Sequence, residues 1–102
     1  MYGPRPAGFW TSHLNSTTPQ PWGHLRPSVT YRVCKPFTDY DQDLHPVDET
    51  WTFLGYSYLP YDSGLSLFVS VDGISEWNIP MMCVPEEQGG VVDRFVEYVV
   101  EG

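Results

Sequence analysis

The 102-residue chain has the length of a single domain. Its hydrophobic content of 41%, with 16% aromatic residues, supports a packed core and excludes a wholly disordered chain. Thirteen acids against five bases give a net charge of −8. That sign repels nucleic-acid phosphates and anionic membranes, and it favours a basic protein surface as partner.

No stretch approaches the roughly 18 consecutive apolar residues of a membrane span, and MYGPRPAGFW lacks the apolar run of an export signal. The expectation is a cytoplasmic protein whose two cysteines, Cys34 and Cys83, are reduced and buried.

Residues 1–28 differ in character from residues 29–102. They hold half of the chain's ten prolines (Pro4, Pro6, Pro19, Pro21 and Pro27), two arginines and no acid. This composition is that of an extended N-terminal arm. Phe9, Trp10 and Trp22 are poor linker residues, so the arm is expected either to tuck its rings against the domain or to act as an interaction tail.

Residues 29–102 are read as one domain. VTYRVCKPF sets Tyr31, Val33 and Phe37 at even spacing, as in a strand. TWTFLGYSYL (50–59) is aromatic and β-branched along its length, a second strand. PYDSG (60–64) is a turn, followed by the strand LSLFVSV (65–71). Asp72-Gly73 is a hairpin signal leading to ISEWNI (74–79), which ends at Pro80.

In the C-terminal segment, Val92, Phe95, Val96 and Val99 fall on one helical face, with Pro85, Glu86 and Glu87 at a helix start. The expected fold is mainly β with a C-terminal α-helix: a small SH3-like barrel, or a strongly curved antiparallel meander, closed by that helix.

Three stretches, KPFTDYD (35–41), HPVDETWTFLGYSYLPYDSGLSLFV (45–69) and PEEQ (85–88), carry a resemblance. Over roughly residues 29–88 the chain resembles a family of small bacterial proteins defined as a domain of unknown function (series 3601). The resemblance implies no activity. It also implies glycine at two turn positions, where this chain has Gln42 and Asp48.

The acidic run FTDYDQDLHPVDET is the main candidate for a site. Asp39, Asp41 and Asp43 match the first, third and fifth positions of an EF-hand loop. The sixth position should be glycine and is Leu44, the twelfth should be glutamate and is Thr50, and Pro46 lies inside. An EF-hand is therefore rejected, and no metal or cofactor is assigned.

Two readings remain open for the run. An acidic loop between strands stays hydrated and discourages edge pairing. The same loop can engage a basic partner surface, with Asp39, Tyr40, Asp41, Asp43, Asp48, Glu49 and Tyr61 as contact residues.

Tyr56, Tyr58 and Trp77 are further candidates for a surface groove. His13, His24 and His45 match no zinc spacing with the two cysteines, and no nucleophile is paired with a base in sequence. The chain thus reads as a non-enzymatic acidic protein-binding module, of the inhibitor or immunity type. The alternative is a small-ligand or metal-binding domain.

Overall fold

The computed structural model describes residues 1–14 and 18–102. In chain order its strands are β1 (Tyr2–Arg5), β2 (Thr30–Val33), β3 (Phe37–Thr38), β4 (Leu44–His45), β5 (Thr50–Leu59), β6 (Gly64–Ser70), β7 (Glu76–Met82) and β8 (Val99–Glu101). Helix α1 (Gly89–Asp93) and two 3-10 turns, Thr11–His13 and Phe95–Glu97, complete the elements.

Alternation of large apolar side chains builds the main sheet. Tyr31 and Val33 on β2, Trp51 and Phe53 on β5, Leu65, Leu67 and Val69 on β6, and Ile79 and Met81 on β7 point to one core. Leu25, Phe37, Phe95 and Val99 complete it from outside the long strands. Neighbouring strands are antiparallel in the order β1-β7-β6-β5-β2-β8, while β3 and β4 form a separate two-stranded ribbon.

The main sheet is open, which corrects the SH3-like barrel: β1 and β8 are its two edges and do not pair. Because β1 is short, the outer side of β7 is paired piecewise by several segments. Along the outer edge of β7, β1 pairs at Glu76 and Asn78, and the Tyr40 N–H donates to the Pro80 carbonyl at 2.8 Å. At Met82 the Gln88 carboxamide takes over, accepting from the Met82 N–H at 3.0 Å, while the Gln88 N–H donates back to the Met82 carbonyl. Strand β7 therefore runs through Pro80 rather than stopping there.

The C-terminal segment departs most from expectation. Its helical spacing yields only the five residues of α1, then a 3-10 turn, then a strand. Five valines (Val91, Val92, Val96, Val99 and Val100) and Gly89-Gly90 give little intrinsic helicity. Val99 and Val100 find backbone partners in β2 instead, at Val33 and Arg32. Phe95 and Val99 reach the core, whereas Val96 is exposed.

Residues 1–28, read as an arm, contribute β1 to the sheet and the fully buried Leu25 to the core. Trp22 lies on Tyr56 and Tyr58, with ring centroids 5.0 and 5.9 Å apart. Gly3 lets β1 approach β7: a Cβ there would stand 2.8 Å from the Glu76 carbonyl and 2.6 Å from the Trp77 ring. Gln42 and Asp48, where the resemblance implies glycine, keep left-handed backbone at φ 67° and 75°. Cys34 and Cys83 are free and half-buried.

Candidate functional site

The acidic run folds as the β3–β4 ribbon and the turn leading to β5. Asp39, expected at the surface, is fully buried. Its Oδ1 accepts from the backbone N–H of Asp41 at 2.8 Å and of Asp43 at 3.2 Å, closing the loop on itself. Its Oδ2 faces His45 Nε2 at 2.7 Å and the amino group of Met1 at 2.7 Å. That amino group also donates to Asp43.

His45 is 1% exposed and sits between two carboxylates, its Nδ1 lying 2.5 Å from Glu49 Oε2. Both ring nitrogens thus donate, which requires an imidazolium. Phe37 stacks on the ring at 4.7 Å, 11° from parallel. The Trp51 indole N–H donates to the same Glu49 oxygen at 3.2 Å.

Burial opposes the imidazolium charge, but the hydrogen bonds to Asp39 and Glu49 and their charges outweigh it and raise the His45 pKa to about 9. Burial likewise opposes the Asp39 carboxylate, and the bonds from His45 and the amino group overcome it, holding its pKa below the ordinary value. The loop is therefore braced from beneath by a buried ionic chain.

What the brace leaves outward is a mixed surface. Tyr40, Leu44 and Val47 are exposed apolar side chains. Asp41 and Asp43 flank them, with Asp43 53% exposed. Asp48 is exposed and pairs with Arg32 at 3.3 Å. Of the predicted contact residues, Asp39 and Glu49 are thus structural. Tyr61 stands fully in solvent at the β5–β6 turn, outside the loop.

Tyr56 and Tyr58 are covered by Trp22, and Trp77 is half-buried against the core. Among the described residues, no group of three or more His, Cys, Asp or Glu side chains is arranged to hold a metal ion, and no helix is long and apolar enough to cross a membrane.

Sequence reasoning missed His45 as the centre of the site. The signal was present: a histidine six residues after one acid and four before another, with Phe37 eight residues ahead of it. Spacing alone does not show which acids turn inward.

Fold and site together define a mainly β domain with an open antiparallel sheet and a braced acidic loop. Among solved structures, the chain is similar to an integron cassette protein from the mobile metagenome of Vibrio cholerae, with a TM-score of 0.76 and 32% identity over 79% of this chain and 89% of that one. The chain belongs to the family of that integron cassette protein. No family model matches it, so the series 3601 resemblance rests on its motif wording alone. No curated protein matches it either.

Proposed function

We propose that the protein is a non-enzymatic binding module, of the inhibitor or immunity type, that engages a basic partner protein in the cytoplasm through residues 40–48. One observation carries this reading: Tyr40, Leu44 and Val47 are exposed beside Asp41 and Asp43 on a loop fixed by buried Asp39 and His45. A loop already held in one conformation loses little entropy on binding. Apolar and aromatic side chains ringed by acids suit a surface of lysines and arginines. The net charge of −8 adds long-range attraction for such a surface and repels phosphate-rich partners.

The test is a comparative pull-down from native lysate, read at low and high salt. Asp41→Lys with Asp43→Lys should weaken capture of the salt-sensitive partner by about tenfold or more. Glu86→Lys with Glu87→Lys makes the same charge change outside the loop and should cost far less. Equal losses in both variants, or none in the first, would remove the loop from the interface.

A further inference from the structure

Strand β1 and the turn after it enclose a second feature that the acidic loop does not use. Tyr2, Phe9 and Trp10, with Pro4 and Arg5, line a half-open cleft of about 450 Å³, a size within the range of small-molecule sites. Its walls are fixed before any ligand arrives. β1 is paired to β7, and the buried Glu76 carboxylate accepts from the backbone N–H groups of Gly8, Trp10 and Thr11 at 2.8 to 3.0 Å. Phe9 and Trp10 meet edge to face at 5.1 Å.

The charges around the cleft are unevenly committed. The Arg5 guanidinium lies over the Phe9 ring, 5.1 Å from its centroid. Among the described residues it has no carboxylate partner, although acids outnumber bases in this chain. Glu76 pairs with Arg5 in strand register, but its oxygens are taken by the 8–11 turn, including the Thr11 hydroxyl at 2.7 Å.

At the other end of β1, the nearby acids are occupied. The Met1 amino group is bonded to Asp39 and Asp43. An aromatic-walled cleft holding a planar cation that no carboxylate neutralises is complementary to a flat anion.

We propose that this cleft binds a small molecule made of a planar apolar ring and a carboxylate. The ring sits among Tyr2, Phe9 and Trp10, and the carboxylate pairs with Arg5. This site is separate from the loop surface proposed above and stands or falls apart from it.

The experiment is a titration of the 15N-labelled 102-residue chain with benzoate, followed by amide and indole resonances. Saturable shifts at Arg5, Gly8, Phe9 and Trp10 are expected. Arg5→Gln should weaken binding by about tenfold, and Phe9→Leu should weaken it as well, with resonances elsewhere unchanged in both variants. Benzamidine, the same ring with a cation, should bind more weakly than benzoate. Absence of saturation with benzoate, equal or tighter binding of benzamidine, or an Arg5→Gln variant that binds like wild type would each overturn the proposal.

Discussion

At the scale of single residues, His45 holds a proton that an imidazole in water would give up near neutral pH. Its pKa of about 9 in the fold, against 6.5 as the ordinary value, makes the ionic chain a pH-dependent source of stability. Because the folded value is the higher one, that contribution is fully present below pH 6.5 and is lost as pH rises through about 9. The shift corresponds to roughly 3 kcal/mol at its fullest. Asp39 has the opposite sign: its depressed pKa contributes above the ordinary 3.8 and is lost as pH falls through the folded value. Thermal unfolding of wild type should therefore weaken toward alkaline pH. His45→Gln should be less stable at neutral pH by about 3 kcal/mol, because it leaves a buried carboxylate short of its partner. The two curves should converge above pH 9; parallel curves throughout would show that His45 is not the titrating brace. None of this was legible in the alternation of Asp39, Asp41 and Asp43, which reads as a hydrated loop. Asp39 turns inward because two backbone N–H groups and a buried imidazolium meet it there, and those contacts depend on Phe37 and Trp51 reaching the core.

At the scale of elements, Glu76 latches the N-terminal segment to the sheet. It is 5% exposed and accepts four hydrogen bonds from Gly8, Trp10 and Thr11. Burial alone would raise its pKa, but these bonds outweigh burial and lower it. Glu76→Ala should cost about 2–3 kcal/mol in urea unfolding, the scale of charge-assisted bonds lost from a buried site. Hydrogen exchange should quicken at Gly8, Trp10 and Thr11 while β5 and β6 stay protected; uniform loss across the sheet would deny the latch a local role. The latch also explains why residues 1–28 looked like an arm. Five prolines mask a strand that is tolerated only because it lies at a sheet edge, and the group that holds the segment is 65 or more residues away in sequence. Thr50–Leu59, by contrast, was legible to its last residue, since aromatic and β-branched side chains run its whole length. In the C-terminal segment the helical period was real but weak. Valines that fit a helix face also fit a strand, and the free edge of β2 decided between them.

At the scale of the whole molecule, charge works against the compact state while shaping what the surface attracts. Eighteen charged side chains leave a net −8. Two of the cross-element ion pairs, Arg26 with Glu101 at 3.4 Å and Arg32 with Asp48 at 3.3 Å, join exposed groups and contribute little. The excess acids therefore repel one another over distances comparable to the Debye length, about 10 Å at moderate salt. Added salt should raise the unfolding temperature. Glu86→Lys with Glu87→Lys relieves the same repulsion at two exposed positions that make no side-chain ion pair among the described residues. The double variant should melt a few degrees higher than wild type at low salt, and the difference should vanish at about 0.5 M salt, where the Debye length is only a few ångströms. A gain that persisted at high salt would point to local packing instead of the global field. Because this variant keeps the braced loop intact while removing four units of net negative charge, it also separates long-range attraction from contact: if partner capture survives in it and fails only when Asp41 and Asp43 are reversed, the loop surface, not the overall charge, selects the partner.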